Sequence, residues 1–184
     1  MTDAPTAVVR EALPAEYDAI GEVTVAAYAT FAATADDPGY MAELRDVADR
    51  ARACPIYVAL DSGTGRVLGG AMYIPGPGNP YAERERDGEA GIRMLAVAPW
   101  AQGRGVGSAL VQALMARARG EGRRGMALLT LDAMTLAHRL YTRAGFRRDE
   151  SRDWEAESGL VLRCFAISFA TADGASATGS RTGA

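Results

Sequence analysis

The sequence is poor in the residues that bind metals and carry redox chemistry. It has two cysteines, Cys54 and Cys164, far apart and in apolar, strand-like surroundings, and one histidine, His138. Neither cysteine belongs to a C-x-x-C pair, so the pattern argues against a metal site and against a redox dithiol. Two buried, reduced thiols are expected instead. A single histidine excludes a histidine-rich metal site. No apolar run approaches membrane-spanning length, and Met1–Pro5 lacks a basic-then-apolar leader pattern, so a cytoplasmic protein without a membrane partner is expected. A basic excess is missing too. Net charge is −3, and tracking a phosphate backbone takes clustered cations, so no nucleic-acid partner is expected. Arg117–Arg124 holds four arginines, but Glu121 interrupts them, and the run reads as a solvated helix end.

What is present is an ordinary globular balance. The 184 residues are 48% apolar and 23% charged, enough for one domain with a sizeable core. Ala7–Leu13 reads as a strand. Pro14 then opens a helix to about Tyr28, with Glu16 and Asp18 at its positive end. Thr30–Gly39 reads as a loop and Tyr40–Ala53 as a second helix. Pro55–Leu60 and Arg66–Ile74 flank the turn Asp61–Gly65 as a hairpin. Pro75–Gly88 is a long loop, a kind of connection that is often functional. Glu89–Val97 is a strand, and Gly105–Arg119 a helix whose apolar positions Leu110, Val111, Leu114, Met115 and Ala118 share one face. Met126–Leu131 is a strand buried on both faces. Asp132 is expected to cap a helix over Thr135–Ala144, which Gly145 stops and Phe146 closes, just as Gly120 ends the helix before it. Leu160–Phe169 is the last strand, and 171–184 is expected to be a disordered tail. Hairpin and strand-helix-strand units together imply an α/β fold: a mixed sheet with helices on both faces.

The most informative stretch runs from Arg93 to Ser108. An apolar strand, Pro99, and then Gly103, Gly105 and Gly107 lead directly into a helix. The first turn of a helix leaves backbone N–H groups unpaired at the positive end of the dipole, and glycines let that backbone approach an anion closely. A diphosphate fits such a place. Three readings are open at this point. The glycines could form a structural turn. Gly103-x-Gly105-x-x-Ser108, with Asp132 beyond the next strand, approximates a dinucleotide fingerprint, although the third glycine is a serine and Pro99–Gln102 separates it from the strand. The third reading takes Gln102-Gly103-Arg104-Gly105-Val106-Gly107 as Q-x-x-G-x-G, followed by Leu140-Tyr141-Thr142-Arg143-Ala144-Gly145-Phe146.

With that pair of motifs and the order of elements over residues 6–170, the chain resembles the GNAT (Gcn5-related) N-acetyltransferase superfamily. The resemblance implies a GNAT domain over 1–170, with a mostly antiparallel central sheet whose splayed strands form an acetyl-CoA cleft. It implies that the amides of Gln102, Gly103, Arg104, Gly105, Val106, Gly107 and Ser108 hold the pyrophosphate, and that the backbone of Leu95, Ala96 and Val97 pairs with the pantetheine arm. Tyr141 stands where relatives place a proton donor to the leaving sulfur, and Glu89 on the preceding strand is the expected general base. Gly91, on the same face, lies nearer the active centre. Where many relatives carry an asparagine, seven residues before Tyr141, this chain has Met134.

The implied activity is acetyl transfer from acetyl-CoA to a primary amine, small molecule or peptide, by direct attack in a ternary complex without a metal. The alternative is a non-catalytic acyl-CoA-binding or regulatory domain. Acceptor contacts are expected from Thr30–Met41 and Pro75–Gly88, with Tyr28, Tyr40, Tyr73 and Tyr81. Asp36, Asp37, Glu83 and Glu85 are placed to attract a cationic amine, and a homodimer is an open expectation.

Overall fold

A computed structural model of the chain describes residues 7–155 and 160–170; the expected tail at 171–184 lies outside them. One sheet runs through the molecule in the order β1-β2-β3-β4-β5-β8-β6, with β7 also pairing β8. Its strands are β1 (Ala7–Glu11), β2 (Ile56–Asp61), β3 (Val67–Ile74), β4 (Glu89–Val97), β5 (Gly125–Leu131), β6 (Arg147–Arg148), β7 (Trp154–Glu155) and β8 (Val161–Ser168). Every pairing is antiparallel except β4 with β5. That topology is not a doubly wound parallel sheet, so it removes the dinucleotide reading. The hairpin turn forms as expected: Asp61 Oδ1 accepts from the Gly63 and Thr64 amides, and Gly65 takes φ +70°.

Helices cover both faces. On one side lie α1 (Tyr17–Tyr28), α2 (Ala32–Ala35), α3 (Pro38–Arg45) and α4 (Val47–Arg50). On the other lie α5 (Val106–Gly120) and α6 (Thr135–Arg143). Ile20, Leu44, Val47, Met72, Ile74 and Met94 fill the first interface, and Tyr73, Ile92, Leu110, Leu114, Tyr141 and Phe165 the second. Two adjacent glycines in β3 let both layers close on the sheet. A Cβ on Gly70 would lie 2.7 Å from Ile20 of α1. One on Gly69 would lie 2.6 Å from the Ala96 carbonyl and 3.3 Å from Val106 and Leu110 of α5.

The single helix expected over Tyr40–Ala53, and the loop before it, are instead three short helices. Asp37 caps α3 by accepting from the Tyr40 amide at 2.9 Å, with Pro38 in the first turn, and Asp46 caps α4 by accepting from the Asp49 amide at 2.9 Å. Two caps nine residues apart satisfy helix starts that one long helix would bury in its interior. Asp132 is not a cap. It pairs with Arg163 at 2.8 Å, and Met134 holds the N-cap position of α6 without a side-chain bond. Gly120 stays helical, and the left-handed residue beyond α5 is Gly122 at φ +71°. Gly145 does stop α6, at φ +97°. The Phe146 amide then donates to the Tyr141 carbonyl at 3.0 Å, and the Phe146 ring is buried.

The far edge of the sheet is tied by one carboxylate. Asp153 accepts from both Nη atoms of Arg148 at 2.8 Å, from the Cys164 amide at 2.9 Å and from Arg163 at 3.2 Å. The Arg148 bonds, against the opposing effect of burial and aided by Cys164 and Arg163, hold its carboxyl at about 2. A folded value below the unfolded ~3.9 stabilises the fold above about pH 4, and that contribution fades as pH falls from ~4 to ~2. Thermal unfolding followed from pH 6 to pH 2 should show it. Asp153→Asn lowers Tm at pH 6 and flattens the acid limb between ~4 and ~2, whereas equal slopes for the two proteins would contradict the assignment.

Candidate active site

Strand β4 carries two neighbours for only part of its length. Glu89–Ile92 pairs with Gly125–Leu128 of β5, and there the ladder stops. Beyond Ile92, β5 stays with β8 as far as Leu131, while β4 continues with β3 to Val97. A bulge marks the parting: Ala71 of β3 faces two residues of β4, Met94 and Leu95, and Met94 takes φ +49°. Bulges turn a strand and cluster beside active sites, and a positive φ at methionine is a strained conformation. From Arg93 to Val97 the edge of β4 that faces away from β3 has no strand partner among the described residues, and it includes the backbone of Leu95, Ala96 and Val97.

The glycine loop closes one end of this gap. After a single 3-10 turn at Pro99–Ala101, Gly103 and Gly105 adopt φ +76° and +79°, and α5 begins at Val106. The Ala109 amide reaches back to the Gly105 carbonyl at 3.0 Å. Among the described residues, none of the six amides from Gly103 to Ser108 donates a hydrogen bond. Gln102, Gly103, Arg104, Gly105 and Ser108 are exposed, and the first turn of α5 holds no acidic residue. Space beside Gly103 and Gly105 is open to 4 Å, whereas a Cβ on Gly107 would press Leu140 of α6 at 3.1 Å and Val97 at 3.6 Å. The first two glycines supply conformation and the third supplies room for α6.

Helix α6 brings Tyr141 to the gap. Its ring is 5% exposed and packs edge-on against Phe146 and obliquely against Phe165, with centroids 5.9 and 6.2 Å away. Burial raises its pKa above the ordinary tyrosine value, so it keeps its proton across the neutral range. Its hydroxyl has no hydrogen-bond partner among the described residues, and it is not sealed from solvent. His138, one turn earlier, is engaged structurally. Its Nε2 donates to the Leu131 carbonyl at 3.0 Å and its ring lies 5.2 Å from Phe165. At Met134, where a polar side chain was expected from the resemblance, only the backbone is used. Its amide donates to the Leu131 carbonyl and its carbonyl accepts from His138.

The face of β4 toward α1 carries Glu89, Gly91 and Arg93. Glu89 stands at the start of the strand and is held by Arg152 at 2.6 and 3.3 Å and by the Arg86 amide at 2.8 Å. Gly91, one alternation nearer the parting, has no side chain of its own, but the space is filled. A Cβ there would overlap Glu85 Oε1. Glu85 Oε2 accepts from the Glu83 and Arg84 amides at 2.7 and 3.1 Å, which bends the loop so that the carboxylate lies over the strand. Arg93 pairs with Glu83 at 2.8 Å. Burial raises the Glu83 pKa, an effect that Arg93 opposes. A cleft of about 760 Å³ opens past Glu85, Arg86, Asp87 and Glu89 to solvent.

Tyr28, Tyr40 and Tyr81 gather on this same side, against the α1 layer. Tyr73 does not. It pairs with Ile92, faces α5, and donates to Glu121 at 2.8 Å. Asp36 and Asp37 are exposed, and Asp37 serves as the α3 cap. Glu85 was expected among the acceptor-side acids, but not its place over Gly91, and Arg152 and Arg50 were not anticipated. Only the bare Gly91 in a strand hinted that another group comes close.

A family model described as the acetyltransferase (GNAT) family matches residues 17–146. Comparison with curated proteins finds no match. Among solved structures, a GCN5-related N-acetyltransferase from Kribbella flavida is 28% identical with a TM-score of 0.62, over 89% of this chain and 98% of its own. A GNAT family acetyltransferase from Brucella melitensis, solved in complex with acetyl-CoA, is 26% identical with a TM-score of 0.60, over 91% of this chain and 90% of its own. An acetyltransferase of the GNAT family from Staphylococcus aureus Mu50 shares the fold at TM-score 0.68 and 12% identity, over 89% and 99% of the two chains. With the parted strands, the unpaired glycine-loop amides and a family match over 17–146, the chain belongs to the GNAT acetyltransferase family.

Proposed function

We propose that the protein transfers an acyl group, acetyl in the first instance, from acyl-CoA to a primary amine by direct attack. The observation that carries this reading is the row of six unpaired amides from Gly103 to Ser108 at the mouth of the β4–β5 gap. They fit a diphosphate: the donors are free, no acidic side chain competes in the first turn, and no Cβ crowds Gly103 or Gly105. Gln102 precedes them, and the exposed side chain of Arg104 adds a positive charge. The free edge of Leu95, Ala96 and Val97 suits an extended amide-bearing arm, which would join the sheet as a strand does. Acyl-CoA supplies an activated thioester, and the chain supplies position and proton transfer.

Two protons have to move. An amine of pKa ~10 is protonated at pH 7, and freeing it costs about 4 kcal/mol, three units at ~1.4 each. A carboxylate beside the nitrogen offsets part of that. Glu89 is tied into the ion pair with Arg152, so we assign it to bracing the start of β4. We assign the proton acceptor to Glu85, whose Oε1 lies over Gly91 and whose cleft leads to solvent. As the C–N bond forms and the C–S bond breaks, the unpartnered hydroxyl of Tyr141 donates to the departing sulfur. Neither thiol competes as a nucleophile. Cys54 is buried against Asn79 at 3.2 Å, and burial pushes Cys164 up to about 11.

The sequence contains no lysine, so acylation of the enzyme's own lysine side chains contributes nothing to release of CoA. Thiol release with acetyl-CoA and a panel of primary amines therefore tests the reading cleanly. Turnover is expected with at least one amine, and Tyr141→Phe should lower kcat about 10²-fold or more with acetyl-CoA affinity held. Binding without release for every amine would favour a regulatory domain. Glu85→Gln should lower kcat/KM at pH 7 by about 10²-fold, while Glu89→Gln should chiefly lower Tm. If the two variants exchanged these effects, the proton acceptor would be Glu89.

A further inference from the structure

Of the two buried arginines among the described residues, Arg152 is paired with Glu89 and Asp149, and Arg50 has no carboxylate. Arg50, at the end of α4, is 3% exposed, yet it forms no ion pair among the described residues. A guanidinium offers five N–H donors. Here Nη1 donates to the Glu43 carbonyl, and Nε is buried with no partner. Glu43 and Asp46 are near enough to act on it electrostatically, but neither carboxylate binds it. Burial pulls its pKa below the ordinary arginine value. A buried charge without a counter-ion is costly, and the cost is relieved when an anion arrives.

The half-buried tyrosines near Arg50 have hydroxyls free to bind a ligand. The hydroxyls of Tyr28, Tyr40 and Tyr81 make no hydrogen bond among the described residues, whereas those of Tyr57 and Tyr73 do. Arg50 lies within electrostatic reach of Tyr81 and Tyr28. Tyr28 in turn feels Tyr40, Tyr141, Arg93 and Arg50, and its ring lies 6.3 Å from that of Tyr40. Tyr28, Tyr40 and Tyr81 pack in one cluster with Val47 and Ala51, the neighbours of Arg50 on and just beyond α4, and the Tyr81 carbonyl accepts from Arg93 of β4 at 3.3 Å. Arg93, on the same face of β4, is already neutralised by Glu83 at 2.8 Å.

We propose that Arg50, with the hydroxyls of Tyr28 and Tyr81, binds a carboxylate on the acceptor, so that the acceptor is a small amino acid whose amine is acylated. The proposal rests on the acyl transfer argued above and names its substrate class. A small free amino acid suits an arginine so nearly enclosed better than the end of a folded protein does. A di- or polyamine would set a second positive charge against Arg50, so the site selects against it.

The test is CoA release by the wild-type protein with L-amino acids, each paired with its own carboxamide, and with a diamine such as putrescine. The expected result is a kcat/KM for the best acid at least about tenfold above that of its amide, since losing a buried ionic partner is heavily penalised. Arg50→Gln should bring that ratio close to one, and Tyr81→Phe should reduce it in the same direction. Because the ratio compares two substrates on one protein preparation, a general loss of fold does not mimic the effect. If Arg50→Gln does not fold, the wild-type ratio and Tyr81→Phe still decide. Amides or putrescine turned over as well as acids, or a ratio unchanged in both variants, would overturn the amino-acid assignment while leaving acyl transfer standing. No release from any amine by a protein that binds acetyl-CoA would overturn both.

Discussion

Two neighbouring parallel strands stay paired only while their twist and register agree, and in this molecule they agree for four residues. After Ile92 the bulge at Met94 turns β4 toward β3, while β5 keeps its long antiparallel ladder with β8. The site follows from that parting. It leaves a length of β4 backbone unpaired on one edge, sets the start of α5 at the opening with its amides free, and lets α6 bring Tyr141 alongside. Unpaired backbone groups are costly when they are kept from water. Among the described residues, six consecutive amides and the β4 edge from Arg93 to Val97 are left without internal partners, open to whatever ligand enters the gap.

Arginine braces this arrangement wherever the strands end. Arg152 joins Glu89 at the start of β4 to Asp149 beyond β6, and Arg117 joins α5 to Glu11 of β1 and to Glu121. Arg148 and Arg163 share Asp153 at the far edge. With no lysine in the sequence, arginine supplies its basic side chains apart from the single histidine. Its planar fork can serve two acceptors at once, which a lysine does less well. The more exposed pairs, such as Arg117–Glu11, contribute only about 0–1 kcal/mol each, whereas Arg152–Glu89 is largely buried and losing one partner would strand a charge; together they fix where Glu89 and the 149–153 segment sit. Against that background Arg50 stands out, because it is enclosed and has no such partner.

Much of the site could be read from the sequence because local backbone rules write it there. Glycines at 103 and 105 imply positive φ, a helix start implies free amides, and Gly145 followed by Phe146 implies a closed helix end that holds Tyr141 in place. The misplaced features depend on other principles. Tyr73 was grouped with the acceptor tyrosines by its place in the chain, but strand alternation puts it on the opposite face from Met72 and Ile74. The helix expected over Tyr40–Ala53 is broken because Asp37 and Asp46 each cap a new start, and capping outweighs a pattern of apolar residues in so short a segment. Glu85 over Gly91, and Arg152 on Glu89, bring together residues that no periodicity connects. Those contacts exist only once the long loop 75–88 has folded across the strand.

The account turns on the amides between Gly103 and Ser108 being free in the protein alone and engaged when acyl-CoA is present. Hydrogen exchange at those amides, measured with and without acetyl-CoA, reads this directly. Fast exchange in the free protein that slows at these positions on adding acetyl-CoA is the predicted result. Amides already protected in the free protein, or exchange that acetyl-CoA leaves unchanged, would contradict it.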